Sequence, residues 1–190
     1  MMAIGKHKPN IATRTDLRKA IHIGLDECMT AFEECFHDLT DEEVWRSRPI
    51  PNRHNVGTIV MHALANLNFY ALQINGSRSL LEEEKWFDLE RHSPQELDEM
   101  QERVPTVPDV VELLHKTRDA ISALLESTSD DQLLSPRLGS MWFDRHPGRT
   151  VADAYMRTIM HTTAHVRQIW LLRGAIGATG KKIWPRQHWA

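Results

Sequence analysis

The chain has little cysteine and no long apolar run, and both absences narrow what it can be. Its two cysteines, Cys28 and Cys35, are seven residues apart in a helical pattern. That spacing puts them about 10 Å apart on one helix face, too far for a disulfide, so they are predicted to be core residues. No apolar run approaches the roughly 20 residues that span a bilayer, and residues 1–20 do not resemble a secretory signal. We therefore expect a cytoplasmic protein that does not bind a membrane.

A strong charge of one sign is also missing. The formal net charge of −3 and the pI near 6.4 give no basic field that would attract nucleic acid. With 41% hydrophobic and 26% charged residues, the composition is that of an ordinary globular protein. A chain of 190 residues can bury a core without a disulfide or a metal. We expect one domain over residues 1–190 and a small-molecule substrate.

Four segments carry apolar residues at intervals of three and four, whereas no strand-length alternation occurs. The predicted helices run over residues 17–39, 55–75, 108–125 and 150–174, and residues 135–150 are predicted to be loop. About 30 residues, including a small helix at residues 93–100, connect helices 2 and 3. So long a connection can return the chain to its starting level. The predicted fold is all-α, a four-helix bundle in up-down-down-up order, with helices 2 and 4 antiparallel.

Three histidines lie inside these helices at matching depths. His161 and His165 are four residues apart on helix 4, so they project side by side. His62 lies about seven residues after the start of helix 2, and His165 lies seven to nine residues before the end of helix 4. If the two helices are antiparallel, both positions are about 10 Å below the same end of the bundle. The three imidazoles can then converge.

Three neutral imidazoles suit Zn, Ni or Fe(II), and they leave coordination positions open for water or substrate. The alternative is that the histidines have separate structural roles, packed or partly solvated. A metalloprotease motif is excluded, because Thr162 follows His161 where the motif requires a glutamate base. A di-iron carboxylate site also fits poorly: Glu-x-x-His occurs in helices 1 and 3, but helix 2 has no acid and helix 4 has one only in its first turn.

Two segments resemble signatures of the DinB/YfiT-like superfamily. The stretch NVGTIVMHALANL, from Asn55, resembles the start of its helix 2, and HTTAHVRQIWLLR, from His161, resembles its helix 4. The resemblance implies a four-helix bundle with a mononuclear Zn or Ni site whose ligands are His62, His161 and His165. It departs from many members at Val166-Arg167-Gln168, where they have Arg-Gly-Gln, so the role of that turn is open.

The resemblance implies a metal-dependent hydrolase or a transferase that uses a low-molecular-weight thiol, acting by Lewis-acid activation of water or thiol. Asn66 and Gln168, one turn beyond His62 and His165, are candidates for holding a ligand or contacting substrate. No general base is identified. The rival hypothesis is a non-catalytic bundle that acts through association, since residues 181–190 form an aromatic tail expected to dock on the bundle or on a second subunit. A homodimer is expected.

Overall fold

The apolar stripes become four long helices in the computed structural model, which describes residues 14–48, 50, 54–81, 104–137 and 140–178. Helix α1 spans Arg14–Glu34, α2 spans Val56–Asn66, α3 spans Val107–Ser127 and α4 spans Val151–Ala175. Helix α2 continues as a π-helical segment, Leu67–Gln73. No strand occurs over the described residues, which confirms the predicted all-α class. None of the described helices is long and apolar enough to cross a membrane.

Two short helices, Asp130–Leu133 and Met141–Arg145, depart from the prediction. The prediction that residues 135–150 are only loop is therefore wrong. A π-helical turn at Glu42–Arg46 follows α1. Helix α1 also ends at Glu34, before the predicted end near residue 39. The apolar stripe continues past the helix because the turn that follows is buried in the core. The helix predicted at residues 93–100 and the tail at residues 181–190 lie outside the described residues.

Side-chain caps fix where the long helices begin. Thr150 accepts a hydrogen bond from the backbone N–H of Asp153 and returns its own backbone N–H to the Asp153 carboxylate, at 2.8 Å. Thr106 and Asp109 form the same reciprocal pair at the start of α3. Each pair satisfies backbone donors that the first helical turn leaves unpaired.

The start of α2 is tied to the π-helical turn before it. Asn55 is buried and accepts hydrogen bonds from the backbone N–H of Thr58 at 2.8 Å and from its hydroxyl at 2.7 Å. Its amide donates to the backbone carbonyl of Trp45. The Trp45 ring lies directly over Gly57, where a Cβ atom would collide with it. The Asn-x-Gly sequence is therefore explained by a cap and by space for an indole.

Contacts between the long helices give their relative directions. Along α1 and α4, Gly24 faces Ile159, and farther on Cys35 accepts a hydrogen bond from Arg173, so these two helices run parallel. Along α2 and α4, His62 faces His161 and His165, while Tyr70 faces Arg157. In these contacts the residue numbers increase along α2 as they decrease along α4, so the two helices are antiparallel.

The third helix runs against the first. His115 contacts the carboxylate of Glu33 at 2.9 Å, and Arg118 donates to the Thr30 hydroxyl at 2.9 Å. The order of these pairs along the two helices makes α1 and α3 antiparallel. Asn68 and Thr117 link α3 to the π-helical continuation of α2 through a 3.2 Å hydrogen bond. Helix α4 thus contacts both α1 and α2, and α3 contacts α1 and the π-helical continuation of α2.

A buried ion pair holds the end of α4 against the turn after α1. The side chain of Arg173 is 3% exposed, and its guanidinium donates to both carboxylate oxygens of Asp38, at 2.6 and 3.2 Å. The same group donates to the backbone carbonyl of Cys35 at 3.2 Å and lies over the Trp170 ring. Burial alone would raise the pKa of Asp38, but the hydrogen bond and charge of Arg173 outweigh burial and hold it below its ordinary value.

Candidate metal centre

The site predicted from the sequence is a cluster of three imidazoles between α2 and α4. One ring nitrogen from each of His62, His161 and His165 lies within 4.8 Å of the others. The ring centroids are 5.2 Å apart for His62 and His161, 4.9 Å for His62 and His165, and 4.4 Å for His161 and His165. This is the single group with metal-ligand spacing among the described residues. Antiparallel packing of α2 on α4 brings the three rings to one level.

The spacing of the two nitrogens on α4 suits one shared ion. His161 Nε2 and His165 Nε2 are 3.3 Å apart. Two nitrogens bound to the same zinc ion at 2.0 to 2.1 Å, with tetrahedral angles, lie about 3.3 Å apart. At this distance one ring can instead donate a hydrogen bond to the other. Either use requires at least one unprotonated nitrogen facing the cluster.

Gln168 determines which nitrogen of His165 faces the cluster. Nδ1 of His165 lies 2.7 Å from Gln168 Oε1, an oxygen that can only accept a hydrogen bond. The Nδ1 atom therefore carries the proton, and Nε2 of the neutral ring keeps its lone pair. Gln168 thus contacts a predicted ligand from behind, although its own side chain is exposed.

Asn66 lies against His62 one turn farther along α2. Its amide nitrogen donates to the backbone carbonyl of His62 at 3.0 Å. The same nitrogen is 3.2 Å from Nε2 and 3.5 Å from Nδ1 of the His62 ring. Such similar distances to both ring nitrogens place the amide over the ring face rather than in line with one lone pair. Asn66 is 4% exposed and packs the ring in place.

The surroundings keep two of the imidazoles uncharged. Burial, followed by the positive charges of His165, His62 and Arg157, lowers the pKa of His161 to about 3. Burial also lowers the pKa of His165, and its hydrogen bond with Gln168 opposes this only in part. Both rings are therefore neutral near pH 7, the form that binds a metal.

The residues present fit a divalent ion on two grounds, the spacing of the ring nitrogens and the neutral rings. His161 presents Nε2 to the cluster, whereas its Nδ1 is buried and has no hydrogen-bond partner. His161 therefore lacks a hydrogen bond like the one that His165 donates to Gln168. The role of the three histidines as ligands stays a prediction.

The two Glu-x-x-His sequences do not join the cluster. His37 contacts the backbone carbonyl of Glu33 at 3.1 Å and is exposed. His115 is also largely exposed and contacts the Glu33 carboxylate across α1 and α3. Both histidines are therefore exposed, and neither Glu-x-x-His sequence contributes to a metal group among the described residues.

Sequence reasoning missed two residues beside the site, Arg157 and Tyr70. Arg157 lies one turn before His161 on α4, with its guanidinium carbon 4.9 Å from the centre of the Tyr70 ring. The Tyr70 ring also contacts Trp142, with centroids 6.0 Å apart. The spacing of Arg157, His161 and His165, four residues each, was a signal that these side chains share one face of α4.

Comparison with known proteins bears out the resemblance. No curated protein matches the chain. Among solved structures, the crystal structure of a conserved protein from Enterococcus faecalis is similar in fold, with a TM-score of 0.64 and 20% sequence identity. The similarity covers 84% of this chain and 96% of that one. The profile of the DinB superfamily matches residues 25–169. This match includes all three histidines, and the chain belongs to the DinB superfamily.

Proposed function

We propose that the protein is a metal-dependent enzyme whose divalent ion is held by His62, His161 and His165. The observation that supports this most directly is the convergence of the three imidazoles, with nitrogens within 4.8 Å of one another. We also propose that α1 to α4 form the up-down-down-up bundle expected from the sequence, as one domain. The parallel pairing of α1 with α4 and the antiparallel pairing of α2 with α4 support that order.

The chemistry follows from ligands that carry no charge. A zinc or nickel ion held by three neutral imidazoles keeps its full positive charge and, when bound, makes a water or thiol available as its anion near neutral pH. The described metal group contains no carboxylate that would offset that charge. Reaction classes that need an activated water or thiol are therefore favoured: hydrolysis, or transfer of a low-molecular-weight thiol to an electrophile.

The protein's own residues supply orientation. Gln168 fixes the tautomer of His165, and Asn66 packs over the His62 ring, so two of the three imidazoles are restrained by a neighbour on the same helix. Restrained ligands hold their lone pairs in place before a reactant arrives. The His161 ring is restrained by packing against the other two imidazoles rather than by a hydrogen bond from Nδ1.

Metal analysis tests the proposal. Protein purified without a metal-affinity column, supplied with excess zinc and then freed of unbound metal should contain about one ion per chain. His161→Ala should lose that ion, whereas His115→Ala, which removes an exposed histidine outside the cluster, should keep it. Zinc-loaded protein is then screened for ester hydrolysis and for transfer of small thiols to electrophiles. Equal metal content in both variants, or none in the wild type, contradicts the proposal.

The rival function, association without catalysis, is favoured by apolar side chains that remain exposed on α4. Met160 is 70% exposed and Leu171 is 68% exposed. If this face pairs two copies of the chain, as the expected homodimer requires, Leu171→Glu should shift the protein to monomer in sedimentation. If the protein acts only through association, removal of metal should change neither its dimerisation nor its binding of small molecules. A dimer that also binds metal is compatible with the enzyme proposal.

A further inference from the structure

Beside the histidine cluster, α2 with its π-helical continuation and α4 present a second pair of facing residues, about two helical turns from the first. His165 faces His62, and Arg157, eight residues earlier on α4, faces Tyr70, eight residues later in the chain than His62. Because Arg157 precedes His161 by four residues, the two side chains leave α4 on the same face about 6 Å apart along the axis. Arg157 is therefore positioned beside a reactant held at the cluster.

The contact with Tyr70 restrains the guanidinium without using its hydrogen-bond donors. The guanidinium carbon lies 4.9 Å from the centre of the Tyr70 ring, a cation–π contact. Tyr70 is only 8% exposed and packs against Trp142, so it is a firm support. A guanidinium over a ring keeps its five N–H donors at its edge. These donors suit a carboxylate or another flat anion.

Acids of the protein do not neutralise Arg157 within the described segments. The nearest acid on its helix is Asp153, one turn earlier, and that carboxylate accepts from Thr150 and pairs with Arg149 at 3.6 Å. No ion pair of Arg157 with a described carboxylate is present. Residues 56–73, which face it, contain no charged side chain at all. Arg157 thus contributes a positive charge beside the cluster, and such a charge favours anions.

We propose that Arg157 binds the anionic group of the substrate or thiol cosubstrate, which is a small molecule carrying a carboxylate about one helical turn from its reactive atom. The inference rests on the proposed function, since it assumes that the reactive atom is held at the three histidines. In this proposal Arg157, supported by Tyr70, binds the anionic group, and the three histidines bind the metal.

Two thiols that differ in charge test this assignment. Zinc-loaded protein is titrated with 3-mercaptopropionate, which carries a carboxylate, and with neutral 2-mercaptoethanol, and dissociation constants are measured by calorimetry. The wild type should bind the charged thiol about tenfold or more tightly, the size expected for a charge-assisted hydrogen bond. Arg157→Gln should abolish this preference while its affinity for 2-mercaptoethanol stays within about twofold.

A matched control removes the same charge elsewhere on α4. Arg167 is also exposed, and at ten residues from Arg157 it projects from a different side of the helix. Arg167→Gln should therefore keep the preference for the charged thiol. Arg157→Lys, which retains the charge but not the planar group, should keep only part of it.

Zinc content, measured in every variant, distinguishes a failure of the Arg157 inference from a failure of the proposed function. If the wild type and Arg157→Gln both bind one zinc ion but neither prefers the charged thiol, the inference is wrong and the metal proposal stands. The same holds if Arg157→Gln keeps the full preference, or if Arg167→Gln loses it equally. If the wild type binds no zinc, the proposed function fails, and the assignment of Arg157 fails with it.

Discussion

The proton on His165 Nδ1 is directed at Gln168 Oε1, 2.7 Å away. The contact spans three residues of one helix, so it forms as soon as α4 does, without help from another part of the chain. Its consequence is electronic as well as geometric, because a proton fixed on Nδ1 leaves the Nε2 lone pair turned toward the other two imidazoles. A surface glutamine thereby takes part in the proposed metal site.

Loss of this acceptor should weaken metal binding without unfolding the protein. Gln168→Leu removes the oxygen that fixes the His165 tautomer, and such changes typically reduce metal affinity about 10 to 100-fold. Gln168→Glu retains an acceptor at the same place and should bind zinc at least as tightly as the wild type. Competition with a chromophoric chelator measures both affinities. Equal affinity in the wild type and Gln168→Leu would show that Gln168 is only a surface residue.

The pair of Arg173 and Asp38 should contribute strongly to the free energy of unfolding. Asp38→Ala leaves the guanidinium, whose side chain is 3% exposed, without its carboxylate, and breaking a buried pair in this way costs about 3 to 5 kcal/mol. Glu112→Ala breaks an exposed pair with Lys116 and should cost about 1 kcal/mol or less. Urea unfolding at pH 7 compares the two. Similar losses in both variants would contradict the assigned role of Arg173.

The same pair should make stability depend on pH in a defined direction. Arg173 holds the pKa of Asp38 below its ordinary value, so the folded state binds a proton there less readily than the unfolded state. The stabilisation is complete above about pH 5, where the unfolded carboxyl is ionised, and it is lost as the pH falls through the lowered pKa. The difference between the wild type and Asp38→Ala should therefore shrink as the pH falls below about 5. A difference that stays constant in acid would mean that packing, not charge, is lost.

The Trp45 ring over Gly57 should make any larger residue at position 57 destabilising. Gly57→Ala places a Cβ atom inside the Trp45 ring, and forced repacking of this kind costs about 1 to 3 kcal/mol. Gly174→Ala is the control, since nothing lies near its added Cβ and alanine is the better helix former. Thermal unfolding should show a lower Tm for the first variant and an unchanged or higher Tm for the second. A neutral Gly57→Ala would show that Trp45 moves freely.

Much of this arrangement could be read from the sequence because it depends on helical periodicity. The positions of His161 and His165 follow from a four-residue spacing, and the level of His62 follows from counting residues along antiparallel helices. The predicted helices 2 and 4 begin at Asn55 and Thr150, and the structure shows both residues capping those helices. These features require only that the helices form and that their apolar faces pack together.

Other features depend on contacts between distant segments and were not predictable. The cation–π contact of Arg157 with Tyr70 needs the exact rotation of α4 against α2. The collision that excludes a side chain at Gly57 comes from Trp45, in a different helical segment. The early end of α1 at Glu34 has a similar cause, since the buried turn that follows continues the apolar stripe without continuing the helix. An apolar periodicity indicates which residues are buried, and buried residues can also lie in a turn rather than in a helix.

Anomalous diffraction from crystals grown with zinc tests the central claim most directly. Data collected on both sides of the zinc edge should show one strong peak per chain, within about 2.0 to 2.1 Å of one nitrogen from each of His62, His161 and His165. The peak should disappear in crystals of His161→Ala. A structure with ordered imidazoles and no anomalous density among them, under saturating zinc, would contradict the account.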